Sequence, residues 1–361
     1  MNNLYLAALA MVPGIGSMRL RALISTFGDA EAVWRAGRTD LRSAGCLGDT
    51  LCNNVIKTRE QISIDKLADR CGKAGVRITG LYDEDYPALL AAIYNPPAVL
   101  YYRGSLPTTD KLIAVVGARR ATAYGRNVCN MIAAELAAAG VGVVSGAARG
   151  IDASAHLGAL EAGYTIAVLA NGTDITYPPE NSKLLQRITE QGAVLSEYPP
   201  GTPPTPGQFP ARNRIINGLA KGVLVVEAAE RSGALITADF ALEEGRDVFA
   251  VPGSILSSVS RGTHKLIKQG AKLVESGADI LEEYGWLGSE KQVEKVQLGP
   301  EETAVLRELS FDRVTALDDI LERTGMTISH LTYILLQLEL QGLAEDQGGQ
   351  RYLRSAREGT R

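Results

Sequence analysis

The segment Leu112-Ile113-Ala114-Val115-Val116-Gly117-Ala118-Arg119-Arg120-Ala121-Thr122 decides the fold that this chain can adopt. Its five consecutive apolar residues predict a strand that is buried on both faces, as is typical of a parallel sheet. Gly117 then allows the backbone to turn tightly, and Thr122 can cap a helix predicted over 125–139. A strand, a glycine turn and a helix in this order place backbone N–H groups where they collect phosphate oxygens.

The alternation of strand and helix continues along the middle of the chain. Further strands are predicted at 141–145, 165–170, 193–196, 223–227 and 248–251, and further helices at 153–162, 179–191, 213–220, 234–244 and 264–269. Short apolar runs that alternate with helices indicate an α/β fold with a doubly wound, mostly parallel sheet of the extended Rossmann-like type. The proline-rich segment 199–210 interrupts the alternation and is predicted to be a surface loop.

Two smaller domains are predicted on either side of this Rossmann-like domain, which we place at 66–285. Residues 1–65 predict an all-α domain of the helix-hairpin-helix or SAM-like type, because a glycine-rich turn at 12–16 precedes an apolar helix. A plain helical bundle with glycine turns remains the other interpretation. Residues 286–299 are predicted to be a linker, and residues 300–354 predict a winged-helix domain of three helices and a hairpin.

The charge of the predicted winged helix is unusual for a domain that reads DNA. Residues 300–361 hold seven arginines, no lysine and eleven acidic residues, and the third helix, over 327–341, has no lysine or arginine. A phosphate backbone would be repelled by such a surface. Contact with protein, or a purely structural role, is therefore favoured over reading of the major groove.

Composition limits the classes of function. A net charge of −4 argues against a nucleic-acid binder, yet segments 111–134, 198–226 and 248–274 overlap the glycine motifs and contain no acidic residue. A positive face on an otherwise acidic protein follows from this distribution. No apolar run is long enough to span a bilayer, and the first residues lack the basic start of a signal peptide. Four scattered cysteines suit a reducing compartment, so a cytoplasmic protein without membrane contact is expected.

Motifs of common nucleotide-dependent enzymes are absent from the sequence. Neither GxxxxGK[ST] nor GxSxG occurs, and the run Gly140–Ser145, which resembles GxGxxG, lies before and inside a strand rather than after one. Three scattered histidines provide no set of metal ligands. We therefore predict no catalytic residue, no metal and no cofactor, and we expect a protein that binds a phosphate backbone.

The candidate binding residues follow the carboxyl ends of neighbouring predicted strands. Arg119 and Arg214 offer planar guanidinium groups for phosphate oxygens. Tyr177 can stack on a base, although a tyrosine packed before a proline is the other interpretation. Asp152 is expected to cap the following helix or to anchor a loop, and His156 is expected to pack rather than to catalyse. The candidate set is Gly117, Arg119, Thr122, Ser145, Gly146, Asn171, Tyr177, Lys183, Arg212 and Arg214.

Taken in order, the motifs resemble the DNA-processing protein A family, which is also called DprA or Smf. The resemblance covers about residues 80–285 and rests on Gly117-x-Arg119, Ser145-Gly146…Gly150-Ile151-Asp152, Tyr177-Pro178, Ser196-Glu197, Arg212-Asn213-Arg214, Ser232-Gly233…Thr237-Ala238 and Val251-Pro252-Gly253. It implies a cytoplasmic bacterial protein that binds single-stranded DNA, protects it and loads the RecA recombinase on it in natural transformation. It also implies a homodimer and no catalysis.

The resemblance further implies roles for single residues. Gly117, Arg119, Ser145, Gly146 and Arg214 match positions of the family's DNA-binding pocket. The family often has a lysine directly after Tyr-Pro, where this chain has Pro179, and the nearest cation that follows is Lys183. The family's self-association segment matches a stretch containing His264, Ile267 and Leu273, which would serve equally well as core residues.

Two other functions remain open from the sequence. Nucleotide-hydrolysing Rossmann enzymes of the lysine-decarboxylase-like family share the strand and the Gly-x-Arg start. They carry a Pro-Gly-Gly-x-Gly-Thr loop, and this chain has Glu230-Arg231-Ser232-Gly233-Ala234-Leu235 in the corresponding region. Release of a base from a nucleoside monophosphate would favour the enzyme. Loss of all affinity for DNA would favour a protein-binding adaptor.

Overall fold

A computed structural model describes residues 2–287, 298–311 and 313–355 of the chain. The amino-terminal part consists of six helices: α1 (Asn2–Ala10), α2 (Ser17–Phe27), α3 (Ala30–Arg35), α4 (Arg38–Ser43), α5 (Asp49–Gln61) and α6 (Ile64–Lys73). Their apolar faces meet in one core, to which α1 contributes Leu6 and Leu9. Leu67 and Cys71 of α6 belong to the same core, so the helical core extends beyond the predicted boundary at residue 65.

A mixed sheet of nine strands forms the centre of the molecule. Its strands are β1 (Arg77–Gly80), β2 (Val99–Gly104), β3 (Leu112–Val116), β4 (Gly142–Ser145), β5 (Thr165–Val168), β6 (Ala193–Ser196), β7 (Gly222–Val225), β8 (Asp247–Ala250) and β9 (Lys272–Leu273). They lie in the order β1-β2-β6-β5-β4-β3-β7-β8-β9. β2 pairs antiparallel with β1 and with β6, and the other neighbours are parallel. The predicted doubly wound, mostly parallel sheet is confirmed, with an antiparallel edge in addition.

Helices cover both faces of this sheet, because successive side chains of a buried strand point to opposite sides. Ile113 and Val115 of β3 pack in one core, and Leu112, Ala114 and Val116 pack in the other. One face carries α8 (Ala123–Ala138), α9 (Ile151–Ala162), α10 (Ser182–Gln191) and α14 (Gly277–Glu283). The other carries α7 (Ala88–Ala91), α11 (Gln208–Leu219), α12 (Gly233–Glu243) and α13 (Arg261–Lys268). Within the described ranges, no helix has the length and apolar character that crossing a membrane requires.

The order of the strands reverses in the middle of the sheet. Strands β4, β5 and β6 follow β3 on one side, and β7, β8 and β9 extend from its other side. The connection after β3 leads to α8 on one face, while the connection after β7 leads to α12 on the opposite face. Two connections that diverge from adjacent parallel strands leave a crevice at their carboxyl ends.

The helix α11 begins earlier than the sequence predicts, and this difference bears on the site. It starts at Gln208, whereas the prediction placed its start at residue 213. Pro210 lies in its first turn, where the missing N–H costs nothing because it would have no partner within the helix. The predicted proline-rich loop therefore ends before the helix, and Arg212 and Arg214 lie inside α11 rather than at its first residue.

Residues 298–355 form a smaller fold with its own core. It contains α15 (Pro300–Glu308), α16 (Leu317–Thr324) and α17 (Ile328–Leu340), with strands β10 (Thr315–Ala316), β11 (Ala344–Asp346) and β12 (Arg351–Arg354) in the order β10-β12-β11. Leu331, Ile334, Leu335 and Leu338 of α17 are buried in this core. The predicted winged helix is confirmed. The predicted linker at 286–299 falls mainly on residues outside the described ranges.

Candidate functional site

A cavity of about 430 Å³ opens where the connections after β3 and β7 diverge. A smaller cavity of about 70 Å³ adjoins it, and the two share Arg119, Ala148, Phe209 and Arg212. We call the two together the central crevice. Its further lining residues include Gly117, Asp152, Asn213, Ser232, Gly233 and Thr237 in the larger part and Gly146, Arg149, Asn171 and Tyr177 in the smaller part.

Arg212 forms a positively charged floor of the central crevice. Its side chain reaches inward from α11, and the residue is only 5% exposed. Its Nη1 donates to the carbonyl oxygens of Gly146, at 2.8 Å, and of Val168. Burial lowers the pKa of Arg212 to about 10, so the guanidinium stays charged at neutral pH. A Cβ on Gly146 would lie 2.5 Å from the guanidinium nitrogens, which explains why glycine occupies this turn.

Asp152 is the buried carboxylate of the crevice. It lies in the first turn of α9, and its Oδ2 accepts a hydrogen bond from the Ala148 backbone N–H at 3.2 Å. Burial raises the pKa of Asp152, and the neighbouring charge of Arg212 opposes this rise. Of the two predicted roles, helix cap and loop anchor, the second agrees with this contact, because the N-cap residue of α9 is Gly150. Because Arg119 and Arg212 line the crevice with only this acid among its lining residues, the charge there is net positive.

Two aromatic rings and an exposed guanidinium form one wall of the crevice. The ring centroids of Tyr177 and Phe209 are 5.7 Å apart, and Arg119 Cζ lies 5.3 Å from the Phe209 centroid. Tyr177 is 42% exposed, and Arg119 is exposed as well. A base can stack on such rings, while its phosphate meets the guanidinium.

Phe209 is the functional candidate that sequence reasoning missed. It was assigned to a surface loop, because the helix was predicted to begin only at residue 213. In the true helix α11, Phe209 and Arg212 are three positions apart and therefore lie on one face. The sequence signal that could have found it is an aromatic residue directly before Pro210 in a segment without acidic residues.

Among the predicted site residues at the carboxyl ends of the strands, three have side chains that are engaged within the protein. Thr122 caps α8 by accepting from the Gly125 N–H at 3.0 Å, and its hydroxyl donates to Glu227. The hydroxyl of Ser145 is fully buried and donates to the Val115 carbonyl oxygen at 2.6 Å. These side chains hold the loops of the crevice in position.

Asn171 is the third of them. It is also buried, and its Nδ2 donates to the carbonyl oxygens of Gly172 and Ile175 at 2.9 and 2.7 Å. The residue lines the smaller part of the crevice while it fixes the loop after β5.

Arg214 and Lys183 do not line the crevice. Arg214 lies two positions after Arg212 on α11, so the two side chains point in different directions. Arg214 instead donates to both carboxylate oxygens of Glu197, at 2.7 and 2.6 Å. The structure therefore separates two arginines that the sequence pattern had placed together. Lys183 is exposed in the first turn of α10.

The three residues predicted for self-association lie at the β9 edge of the sheet and on α13. His264 Nε2 lies 3.0 Å from the Gly253 carbonyl oxygen, and Ile267 is half-buried against the core. Leu273, on the edge strand β9, is 44% exposed. Their role in assembly stays a prediction.

Comparison with known proteins bears on this architecture. Residues 77–285 match the family model described as DNA recombination-mediator protein A, and residues 289–350 match the DprA winged helix domain. The protein Smf of Synechocystis sp. is 34% identical to the chain, over 97% of this chain and 98% of that relative. The DNA processing protein DprA of Streptococcus pneumoniae is 48% identical over 56% of this chain and 73% of its own length.

Solved structures agree with these matches. The X-ray structure of DprA from Streptococcus pneumoniae superposes with a TM-score of 0.68 at 38% identity, covering 78% of this chain and 98% of that one. A DprA structure from Helicobacter pylori superposes with a TM-score of 0.52 at 30% identity, covering 58% of this chain and 97% of that one. The latter is described as giving insight into a unique single-stranded DNA binding mode.

Proposed function

Because the chain belongs to the DNA recombination-mediator protein A family, we propose that it binds single-stranded DNA in the central crevice. The observation that carries this proposal is the wall of Tyr177, Phe209 and Arg119 beside the buried charge of Arg212. The wall offers stacking surfaces and a guanidinium at once, as proteins that bind single strands without sequence preference do.

The same geometry favours a single strand over a duplex. Stacking on Phe209 or Tyr177 requires a base whose face is free, whereas the bases of a duplex are stacked on one another. The arginines contact phosphates, which carry no sequence information. We therefore expect affinity that depends strongly on salt and weakly on sequence.

We extend the proposal to the use of the bound strand. The protein protects incoming single strands and loads a RecA-type recombinase on them during natural transformation. The description of the matched family as a recombination mediator supports this step. Filament assembly by the recombinase on a strand precoated with single-strand-binding protein should be accelerated by this protein. An unchanged rate would remove this part of the proposal.

No observation on the described residues supports the hydrolytic alternative. Glu230, the acid of the loop that corresponds to the enzymes' motif, lines a different depression. Asp152, which does line the crevice, faces the Ala148 N–H and the charge of Arg212. We therefore propose a binding function alone.

Titration of labelled oligonucleotides tests the binding proposal. The wild-type chain should prefer a single strand over a duplex of equal length. Neutralisation of five phosphates would give a slope of log K against log salt of about −3.5. Arg119→Ala should weaken binding about ten-fold or more through loss of a charge-assisted contact, and Phe209→Ala should do so through lost stacking.

The matched control is Lys57→Ala, which removes an exposed charge from α5. It should leave the affinity unchanged. Equal affinity for duplex and single strand would contradict the proposal. So would unchanged affinity in a folded Arg119→Ala, Phe209→Ala double variant.

A further inference from the structure

A second basic surface lies beside the central crevice. A depression of about 630 Å³ is lined by Glu230, Arg231, Arg261, His264, Lys265, Lys268 and Gln269. Four of these residues are permanent cations and one is an acid. We call the four cations, Arg231, Arg261, Lys265 and Lys268, the α13 basic patch.

The charges of this patch are not neutralised by side chains in the described part of the protein. There, none of the four cations forms an ion pair or donates a side-chain hydrogen bond. Other cations of the same domain are paired, such as Lys221 with Asp110 at 2.7 Å and Lys272 with Glu283 at 2.7 Å. Four unpaired like charges around one depression create a positive potential that attracts an anion.

One short loop separates the patch from the central crevice. Ser232 and Gly233 line the crevice, and the two preceding residues, Glu230 and Arg231, line the depression. The loop is anchored on the α13 side, because the Ala228 carbonyl oxygen accepts from the Gly262 N–H at 2.8 Å. The two basic surfaces are therefore held side by side, since residues that are adjacent in the chain line them.

This continuity selects the ligand that fits both surfaces. A single phosphate or a mononucleotide fills only one of them, whereas a flexible polymer with regularly spaced negative charges can occupy both. Resting on the proposed function, we propose that the α13 basic patch is a second, sequence-independent contact for the backbone of the same DNA strand. The strand leaves the central crevice, crosses the loop 230–233 and continues along the side of α13 that carries Arg261 and Lys265. The side with His264 and Ile267 is left to the predicted self-association.

The lining residues of the depression include no phenylalanine, tyrosine or tryptophan. Its contribution is therefore ionic, and the stacking contribution belongs to Phe209 and Tyr177 in the crevice. The contributions of the two surfaces can therefore be distinguished by experiment. Replacing the cations of the patch should reduce the salt dependence of DNA affinity. The affinity should change only for strands that are long enough to reach beyond the crevice.

Binding of two oligothymidines by the full-length chain tests the proposal. One has about 5 nucleotides and the other about 25, chosen around the range of known single-strand site sizes. A triple variant that combines Arg261→Ala, Lys265→Ala and Lys268→Ala should bind the long strand at least ten-fold more weakly. The salt slope should become less negative by about 2, from roughly 0.7 per lost contact. Affinity for the short strand should stay within two-fold of wild type.

The matched control replaces three exposed cations elsewhere, Lys57, Arg187 and Arg307, by alanine. It should leave the slope for the long strand unchanged. Arg231 lies on the loop rather than on α13, and Arg231→Ala should make the slope for the long strand less negative by about 0.7. This second variant keeps the test valid if the triple variant unfolds or changes its mass in light scattering.

Several results would overturn the inference. An unchanged slope for the long strand in both variants means that the patch does not contact the backbone. Equal weakening of short and long strands places the effect in the crevice. If removal of residues 300–361 tightens long-strand binding and abolishes the effect of Arg231→Ala, the patch serves the acidic winged helix instead. A wild-type chain that binds neither strand refutes the proposed function, and the inference with it.

Discussion

Arg212 and Arg214 stand two positions apart, yet they belong to different environments. Two positions on an α-helix are separated by about 200°, so one side chain points into the crevice and the other points away. Arg212 is buried under the Gly146 loop, and Arg214 is held by Glu197. The arginines that line the crevice are therefore Arg119, Arg212 and Arg149, of which Arg149 is paired with Glu180.

Arg214→Ala should act on stability rather than on binding. Its removal leaves the partly buried Glu197 carboxylate without this partner, which should lower the free energy of unfolding by about 2 kcal/mol. Affinity for single-stranded DNA should stay within two-fold of wild type. Urea unfolding and oligonucleotide titration measure the two effects. A ten-fold loss of affinity at unchanged stability would show that Arg214 contacts the strand.

His156 should make the fold sensitive to acid. It is fully buried beside Thr165 Oγ1, at 2.7 Å from Nδ1, and burial lowers the pKa of His156 to about 3. The unfolded chain, with a histidine pKa of about 6.5, binds a proton between these values and the folded chain does not. Stability is therefore lost as the pH falls below about 6.5, and the loss should reach about 2 kcal/mol at pH 5.

A His156→Gln variant isolates this effect from the other titrating groups. Its free energy of unfolding, followed in urea from pH 7 to pH 5, should fall less steeply than that of the wild type. The difference between the two curves should be close to the stated loss. Parallel curves would mean that the histidine takes up a proton in the folded protein.

At the scale of elements, one carboxylate joins the two connections that form the crevice. Glu227 follows β7, is buried, and accepts hydrogen bonds from the backbone N–H and the hydroxyl of Thr122 at the start of α8. A carboxylate at a helix amino terminus is further stabilised by the helix dipole. The loop that carries Arg119 is thus fastened to the neighbouring strand.

Glu227→Ala should loosen this loop. We expect a loss of about 1–3 kcal/mol of stability, because two donors lose their acceptor. Affinity for a single strand should fall several-fold although Glu227 does not line the crevice, since Arg119 is no longer held in place. Glu227→Gln keeps one acceptor and should show smaller effects on both. Wild-type affinity in a destabilised alanine variant would show that the loop needs no such anchor.

At the scale of the whole molecule, the sheet ends in a short edge strand. The two residues of β9 present an exposed Leu273, beside α13 with its half-buried Ile267. Edge strands are places where another chain can pair. We propose a homodimer through His264, Ile267 and Leu273. Two crevices on one particle would raise the effective concentration of binding sites along one strand.

Charge introduction at this edge tests the assembly. Ile267→Glu should give a monomer with weaker and less cooperative binding of DNA, and light scattering measures the mass. Leu273→Glu is the second variant, because Leu273 is 44% exposed and a charge there does not have to be buried in the folded monomer. A wild-type chain that is monomeric at micromolar concentration would refute the dimer.

The amino-acid sequence by itself determined the type and order of the elements. Short apolar runs such as Leu112–Val116, bounded by turn residues, favour buried strands, and the glycine turns after them allow the backbone to reverse near a ligand. The doubly wound sheet, the winged helix, and the places of Gly117 and Arg119 follow from such local patterns. These features depend on the chemistry of residues close together in the chain, which periodicity reports directly.

Only the tertiary structure decided which side chains meet in the crevice. The contact of Arg212 with Gly146 joins residues 66 positions apart, and that of Thr122 with Glu227 joins residues 105 positions apart. The start of α11 at Gln208 turned Phe209 into the crevice and Arg214 toward Glu197. The long-range contacts cannot be read from a local pattern. Successive side chains of a helix differ in direction by about 100°, and packing decides which face of α11 turns toward the crevice.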